Sequence, residues 1–295
     1  MRIDLVTTCS RAVRARALIA CGLAGLLSAC RRAGVLDPRG PVSAAERLIL
    51  FNATGIMLVV VVPVILMTLA FSWWFRASNK RATYRPEWKY SGQIELVVWA
   101  IPAMVVLLLA GVTWISSHDL DPRARLESTA KPLRIEVVSL DWKWLFIYPD
   151  QHVATVNELT VPAGTPLEFL LTSATVMNAF FVPQLGTQVY TMPGMTTRVN
   201  LMADHPGDYP GLSSHFSGDG FSDMHFVVHA VSRPAFERWV ADTGRDTAAL
   251  TDEAYAALAQ PTSNVPAQTY GTVAPMLYDH VLQLAAPLAA SGKEH

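Results

Sequence analysis

From Leu133 to Pro149 the chain reads L-R-I-E-V-V-S-L-D-W-K-W-L-F-I-Y-P, and apolar side chains recur there at every second position. Successive side chains of a β-strand point to opposite faces, so this period of two predicts strands. The same period returns in three later runs. The predicted inward faces are Leu133, Ile135 and Val137; Trp142, Trp144, Phe146 and Tyr148; Leu167, Phe169 and Leu171; Val199 and Leu201; and Phe226, Val228 and Ala230. Short strands separated by Gly and Pro predict an all-β sandwich over residues 133–231.

Two long apolar runs precede the strands, at residues 48–75 and 94–116. At about 1.5 Å per residue, each is long enough as a helix to cross about 30 Å of hydrocarbon. We therefore predict a hairpin of two transmembrane helices, followed by a linker at residues 117–132. The loop at residues 76–93 is rich in basic side chains, which favours the cytoplasmic side. Its charged residues are Arg76, Lys80, Arg81, Arg85 and Lys89, with the single acid Glu87.

The extreme N-terminus has the pattern of an export signal. A charged leader is followed by an apolar run too short to span a bilayer, and then by Leu27-Ser28-Ala29-Cys30. This tetrapeptide resembles the lipobox of bacterial lipoproteins, which implies a signal peptide at residues 1–29 and acylation of Cys30. An uncleaved anchor or an unmodified cysteine remains the alternative. Residues 30–47 are then an exterior segment, and the predicted signal decides the orientation, because arginines also precede the first span.

Composition supports membrane-embedded material and excludes some partners. The chain of 295 residues is 51% hydrophobic and 16% charged, well below the roughly 25% charge of soluble domains. The net charge of -1 argues against nucleic acid. All three cysteines lie within the first 30 residues, so neither a disulfide nor a thiolate metal site is expected in the rest of the chain.

Residues 232–295 are predicted to be a helical C-terminal extension. Ser232 is a candidate N-cap for a helix that stops at Gly244, a second helix is predicted after Thr251, and a third from Pro275 to Leu284. These helices are expected to be short and amphipathic. They are predicted to pack either on the sandwich or on a neighbouring protein.

A glycine-rich loop near the end of the predicted sandwich carries the main clue to function. From Gly207 to Met224 it reads G-D-Y-P-G-L-S-S-H-F-S-G-D-G-F-S-D-M, without a cysteine. The loop resembles the dicopper loop of subunit II of the haem-copper terminal oxidases. That resemblance assigns the copper-ligand positions to Asn178, Ser213, Ser217, Phe221 and Met224. Soft copper selects thiolate, thioether or imidazole donors, and of these five positions only the thioether of Met224 is suitable. We predict a copper protein's fold that holds no metal and has no catalytic residue of its own.

The resemblance is specific to the bo-type ubiquinol oxidase branch of that family. It is carried by D-W-K-W-L-F-I-Y-P at Asp141–Pro149, V-M-N-A-F-F-V-P-Q-L-G at Val176–Gly186 and Y-T-M-P-G-M at Tyr190–Met195. The resemblance implies a cupredoxin-like Greek-key sandwich on the periplasmic side of the bacterial inner membrane. It further implies a structural subunit of a complex that oxidises ubiquinol, reduces oxygen and translocates protons. Haems, copper and ubiquinol are then expected in subunit I, the partners are the other subunits and membrane lipid, and cytochrome c is not a partner.

Two other functions remain open from the sequence. One is a cytochrome c oxidase subunit II with its dicopper centre, although that branch requires a histidine where this chain has Asn178. The other is a free, membrane-tethered β-sandwich lipoprotein. Two spanning helices are more than a tether needs, which disfavours the latter.

Glu95 is an ionisable residue at the start of the second predicted span. A carboxylate there either snorkels to the membrane edge or serves in function, and the residue alone leaves both open. In the oxidase family an acid at the matching place lies at the mouth of a proton channel into subunit I. The resemblance thus makes Glu95 a candidate for proton uptake.

Three further groups invite functional interpretations that we weigh against simpler ones. Trp142 and Trp144 suggest electron transfer, but packing is favoured where no metal donates electrons. His225 and His229 would be about 13 Å apart on a strand, too far to share an ion. The nearby His205 and His215 are interpreted as surface histidines rather than metal ligands. Four aspartates are interpreted as residues of turns rather than a docking site for a basic cytochrome c: Asp204, Asp208, Asp219 and Asp223.

Overall fold

The computed structural model describes residues 34–83, 85–87 and 89–291. The predicted signal peptide and Cys30 lie outside the described residues. Two long helices come first, α1 (Pro41–Trp74) and α2 (Gly92–Asp119). Both are long and apolar enough to cross a membrane, and their most apolar stretches are not buried by the rest of the chain.

A two-sheet sandwich and a C-terminal extension follow the helices. The strands of the sandwich are β1 (Leu133–Leu140), β2 (Lys143–Tyr148), β3 (Val153–Val156), β4 (Glu158–Pro162), β5 (Leu167–Ser173), β6 (Asn178–Phe181), β7 (Val189–Thr191), β8 (Thr197–Leu201), β9 (Gly207–Ser213) and β10 (His225–Val231). The extension contains α3 (Arg233–Thr243), β11 (Ala249–Leu250), α4 (Asp252–Leu258), β12 (Gln268–Tyr270), β13 (Thr272–Val273) and α5 (Leu277–Ser291). Short 3-10 turns lie at Gly34–Leu36 and Phe221–Asp223.

The sandwich has a mixed strand order. One sheet runs β12-β3-β2-β1-β5-β8 and the other β4-β10-β9-β6-β7, while β11 and β13 form a separate pair. β1 is antiparallel to β2 but parallel to β5, and β10 is parallel to β4 but antiparallel to β9. This arrangement, with the two helices and the helical extension, confirms the predicted cupredoxin-like fold class.

The core between the sheets consists of the side chains that the alternation identified. The predicted inward faces of β1, β2, β5, β8 and β10 are all buried there, together with residues such as Phe180. Trp142 is the exception, because it lies in the turn between β1 and β2 with a positive φ of 63°. Its predicted place in a strand is therefore wrong, although its half-buried ring still packs against this core.

A second core covers the outer face of the six-stranded sheet. Val138 and Leu145 point outward from β1 and β2, and the extension places Leu250, Tyr255 and Val281 against that face. Strands β1 and β2 are therefore buried on both faces, with a burial pattern unbroken along β2. The helices of the extension thus pack on the sandwich, which is one of the two predicted surfaces.

The helices of the extension start close to the predicted residues. Thr251 caps α4, because its hydroxyl accepts a hydrogen bond from the backbone N–H of Ala254. Ser232 is the N-cap residue of α3 and Gly244 its C-cap, as predicted. The Ser232 carbonyl accepts a hydrogen bond from the backbone N–H of Phe236 at 2.9 Å, although its side chain makes no capping bond. Helix α5 begins at Leu277, two residues after Pro275, and extends beyond Leu284.

The segment that precedes α1 is attached to the β domain. The backbone N–H of Arg39 donates to the Gln184 carbonyl at 2.7 Å, and Asp204 N–H donates to the Arg39 carbonyl at 2.8 Å. The Ser43 hydroxyl also donates to the Gln184 carbonyl, at 2.7 Å. Helix α1 thus begins at Pro41, before the apolar run that starts at residue 48. Proline is favoured in a first helical turn, and contacts with the β domain stabilise this polar turn.

Candidate functional site

The first part of the predicted glycine-rich loop, Gly207–Ser213, is strand β9 rather than loop. Residues 214–224 connect β9 to β10 and fold over Trp142. The Trp142 indole Nε1–H donates to the Ser217 carbonyl at 3.1 Å. A Cβ at Gly220 would lie 2.5 Å from Trp142 Cδ2, and Gly218 has a φ of +109°. Both glycines are therefore required, one by the close approach of the ring and the other by its backbone conformation.

The structure brings the five positions of the predicted copper site to one end of the sandwich. Asn178 begins β6, Ser213 ends β9, and Met224 directly precedes β10; these three are buried. The Ser213 hydroxyl donates to Asn178 Oδ1 at 3.2 Å, while the Ser217 hydroxyl lies 4.0 Å from Met224 Sδ. Phe221 is half-buried, and its ring packs edge-on against Phe216 with centroids 5.6 Å apart.

The donors at these positions do not fit a dicopper centre. Soft copper selects thiolate, thioether and imidazole groups. Here the positions carry two hydroxyls, a carboxamide and a phenyl ring beside the Met224 thioether. In the described part of the chain, no three His, Cys, Asp or Glu side chains come close enough to hold a metal ion. The five predicted positions therefore lack the ligands that a dicopper centre requires.

A network of buried polar side chains lies next to these positions. The Asn178 Nδ2–H donates to the Ser139 hydroxyl at 3.4 Å, and the hydroxyls of Ser139 and Thr191 are 2.8 Å apart. Ser139 belongs to the six-stranded sheet, whereas Asn178, Ser213 and Thr191 belong to the other, so the network joins the two sheets. Buried polar groups are costly unless they are hydrogen-bonded, and these satisfy one another. The sequence reasoning missed this network.

The two tryptophans near the loop are packing residues in this geometry. Trp144 is fully buried, and its ring meets Phe180 and Phe226 edge-on, with centroids 5.5 and 5.6 Å away. Trp142 covers the loop glycines, as described above. Each ring is thus held by aromatic or backbone neighbours, as the packing interpretation expects.

The histidines and aspartates do not converge on one point. His225 and His229 lie on β10, as predicted, on the face turned away from the core. His229 Nδ1 lies 2.7 Å from Asp208 Oδ1, and its Nε2 is 4.0 Å from Glu158 Oε1. The four aspartates predicted to lie in turns are all exposed: Asp204, Asp208, Asp219 and Asp223. The turn prediction is wrong for Asp208, which lies on β9 opposite His229 of β10.

Glu95 lies in the first turn of α2 and is exposed in this chain. Its backbone N–H donates to the Ser91 carbonyl at 3.0 Å, which starts the helix. The side chain thus projects from the loop end of the hairpin, far along α2 from the β domain. Its role in proton uptake stays a prediction, as does the acylation of Cys30.

Lys143 is a buried basic residue that the sequence reasoning also missed. Its Nζ donates to the carbonyls of Gln260 and Asp141, at 2.8 and 3.3 Å, and to the Thr262 hydroxyl at 2.5 Å. Burial lowers the pKa of Lys143, and the nearby Asp141 carboxylate opposes that shift. The signal was present in D-W-K-W, where a lysine interrupts aromatic residues. Through these hydrogen bonds, Lys143 attaches the C-terminal extension to β2.

Comparisons with known proteins identify the family of this chain. Residues 146–231 match the family model "Cytochrome C oxidase subunit II, periplasmic domain", and residues 246–284 match "COX Aromatic Rich Motif". Among solved structures, the chain is similar to the periplasmic domain of subunit II of cytochrome oxidase of Bradyrhizobium japonicum. The TM-score is 0.38, with 23% identity over 40% of this chain and 96% of that one.

Curated relatives cover most of the chain. It is 48% identical to cytochrome bo(3) ubiquinol oxidase subunit 2 of Pseudomonas aeruginosa over 84% of this chain and 75% of that protein. It is 46% identical to ubiquinol oxidase subunit 2 of Acetobacter aceti over 88% of this chain and 86% of that protein. These likenesses favour the ubiquinol oxidase interpretation over both alternatives. The chain belongs to the ubiquinol oxidase subunit 2 family of the haem-copper oxidases.

Proposed function

We propose that this chain is the structural subunit II of a proton-translocating ubiquinol oxidase in a bacterial aerobic respiratory chain. The observation that carries this proposal is the donor set at the loop, where hydroxyl, amide and phenyl groups stand in place of copper ligands. A β domain without these ligands has no metal through which to pass electrons. A lipid-soluble donor needs no such exterior relay, because quinol delivers electrons within the bilayer.

The remaining chemistry belongs to the partner subunits in this proposal. Haems, copper and the ubiquinol site reside in subunit I, and this chain supports that subunit through α1 and α2. The hairpin is suited to this role because its apolar side chains are exposed along both helices. Apolar surfaces of this extent are unfavourable in water, so lipid or a partner subunit is expected to cover them.

The proposed orientation places the β domain in the periplasm and the basic loop in the cytoplasm. The loop carries five Lys or Arg residues between two apolar helices, which favours the cytoplasmic side. Protease treatment of intact spheroplasts tests this arrangement. We expect cleavage within the β domain while the loop stays protected, and cleavage of the loop alone would reverse the topology.

Glu95 is proposed to admit protons from the cytoplasmic side. Its exposed carboxylate stands at the loop end of α2, where a partner subunit would receive a proton from it. Glu95→Ala is expected to slow oxygen reduction in the purified complex and to leave assembly intact. Glu87→Ala, which removes an exposed acid from the adjacent loop, is the matched control. A turnover number unchanged across pH in Glu95→Ala would refute the role.

Cys30 is proposed to carry a lipid after removal of residues 1–29. An acyl chain contributes about 0.8 kcal/mol per buried methylene, so it reinforces an anchor that the hairpin already supplies. Intact-mass measurement of the mature chain tests this, because acylation and cleavage both change the mass. Detection of the unmodified Met1 N-terminus would overturn the proposal.

Turnover of the purified complex tests the functional proposal as a whole. We expect oxygen consumption with a short-chain ubiquinol and none above background with reduced cytochrome c. Sustained oxidation of cytochrome c would restore the dicopper alternative. Purification as a solitary chain without haem-bearing partners would instead favour the membrane-tethered lipoprotein.

A further inference from the structure

The loop between α1 and α2 concentrates positive charge that no described carboxylate neutralises in an ion pair. Five basic residues and one acid occupy it. Within residues 34–83, 85–87 and 89–291, no carboxylate forms an ion pair with any of the five. Their counter-charge must come from outside the described chain.

Part of this charge lines a cavity of about 510 Å³ beside the end of α1. Its polar lining consists of Arg76, Asn79, Thr83 and Arg85, and Phe75 supplies an apolar wall. The two guanidinium groups and the hydroxyl are all hydrogen-bond donors. Guanidinium groups match phosphate oxygens in geometry as well as charge, so this set is suited to a phosphate group.

Arg76 is held in place before any ligand arrives. Its guanidinium carbon lies 4.6 Å from the centre of the Trp73 ring. Its Nη1–H donates to the Trp73 carbonyl at 2.8 Å, and its Nε–H donates to the Ser78 hydroxyl at 3.0 Å. These bonds use two of the five guanidinium N–H donors, and the others remain for a ligand.

The C-terminal end of α1 is also held by hydrogen bonds from the loop. The Asn79 amide donates to the Trp74 carbonyl at 2.5 Å, so donors from the loop satisfy the last carbonyls of the helix. Trp73, Trp74 and Phe75 are exposed there. Tryptophan is enriched at the level of lipid headgroups, which places the cavity at that depth.

We propose that this cavity binds the phosphate of an anionic phospholipid headgroup, held by Arg76 and Arg85. A lipid is favoured over free phosphate because Phe75 and the neighbouring tryptophans offer apolar surface next to the charges, where acyl chains begin. Basic pockets at the ends of transmembrane helices are suited to anionic headgroups. This site is independent of electron transfer and of proton uptake through Glu95.

Native mass spectrometry of the full-length chain in detergent, with added phosphatidylglycerol or phosphatidylcholine, tests the proposal. The variant Arg76→Gln/Arg85→Gln removes both guanidinium groups from the cavity. The control Lys80→Gln/Lys89→Gln removes the same charge from the same loop, but outside the cavity lining. At about 0.5 M salt, general attraction to the basic loop is largely screened.

Under these conditions we expect one phosphatidylglycerol to be retained by the wild type and by the lysine variant. The arginine variant should bind it about tenfold or more weakly. Arg76→Lys, which keeps the charge but loses the planar fork, should fall between them. Circular dichroism of each variant checks that the helices are intact.

Three results would overturn the proposal. If the arginine variant retained as much phosphatidylglycerol as the wild type, the cavity would not be the binding site. If both double variants lost it equally, binding would reflect general attraction to the basic loop. Displacement of the lipid by millimolar inorganic phosphate would make free phosphate the ligand. Since each readout uses the isolated chain, failure here leaves the oxidase proposal untouched.

Discussion

The β domain and the helical hairpin differ in how far each satisfies its own side chains. In the β domain, both faces of the six-stranded sheet are covered, and the polar groups at the loop bond to one another. In the hairpin, the apolar surfaces of α1 and α2 are exposed, and the loop has unneutralised charge. The β domain buries its own apolar core, and among its buried polar atoms Trp144 Nε1 and Gln151 Oε1 lack a hydrogen-bond partner within the described residues. The apolar side chains of the hairpin are left for lipid and protein to cover.

This difference indicates where the chain interacts with the rest of a complex. In the proposed function the β domain has a structural role, because the side chains at the five predicted copper positions do not suit copper. The ionisable groups that we propose to interact with partners, Glu95 and the basic loop, lie on the hairpin. Substitutions should therefore destabilise the isolated chain when placed in the β domain, and affect binding or turnover when placed in the hairpin.

Phe180→Ala should give the largest loss of stability. Phe180 is fully buried between the sheets, and its ring stacks on Phe226 with centroids 5.1 Å apart. Truncating such a ring costs about 3 to 5 kcal/mol. Leu107→Ala in α2, where the side chain is 73% exposed, should change the isolated chain little. Denaturant unfolding of both full-length variants measures the free energy of unfolding. Similar losses in the two variants would contradict the difference between the β domain and the hairpin.

Lys143→Met should loosen the C-terminal extension. The substitution removes the charged Nζ donor that bonds the Gln260 carbonyl and the Thr262 hydroxyl, and hydrogen bonds to a charged group contribute about 1.5 to 3 kcal/mol. Limited proteolysis near residue 262 should become faster. Lys131→Met, at an exposed lysine 3.7 Å from Asp150, is the control and should stay within about 0.5 kcal/mol of wild type. Unchanged proteolysis of Lys143→Met would remove its anchoring role.

Asn178→Leu should weaken the network that joins the sheets. It removes the amide that bonds Ser139 and Ser213, and neutral hydrogen bonds of this kind contribute about 1 kcal/mol. Ser214→Ala, on the exposed side of the loop, should have a smaller effect. Thermal unfolding followed by near-ultraviolet circular dichroism measures both. Equal melting temperatures for Asn178→Leu and wild type would show that the network does not stabilise the domain.

The smallest expected effect concerns Glu136, whose ionisation should make the free energy of unfolding depend on pH. Burial raises the pKa of Glu136; Asp279 and Asp150 add to this shift, and Arg134 opposes it. The folded state thus binds the proton more tightly, so this contribution to stability is present below about pH 4.5 and is lost as pH rises through the raised pKa. Glu136→Gln should flatten that slope in unfolding measured at several pH values. An identical slope in the variant would contradict the assignment.

The inner core was predictable because alternation is a local signal. Leu133, Ile135 and Val137 repeat with the period of a strand, and their burial follows from that period alone. Trp142 continued the pattern but lies in the turn between β1 and β2 with a positive φ, which alternation does not indicate. The loop's lack of copper ligands was also readable, since it depends on residue types.

The outer core and the polar network could not be predicted from the same local signals. Leu145 and its neighbours on β2 are covered by Tyr255 and Val281, more than a hundred residues later. Ser139 likewise meets Asn178 only when the sheets come together. The unbroken apolar run of β2 was the available sign, because a strand buried on both faces loses its alternation.

Elemental analysis of the full-length chain, purified after expression with added copper, tests the central claim most directly. We expect no copper above background and no near-infrared dicopper band, because hydroxyl, amide and phenyl groups occupy the ligand positions. Two tightly bound copper ions per chain would contradict this, and would return the β domain to the path of electron transfer.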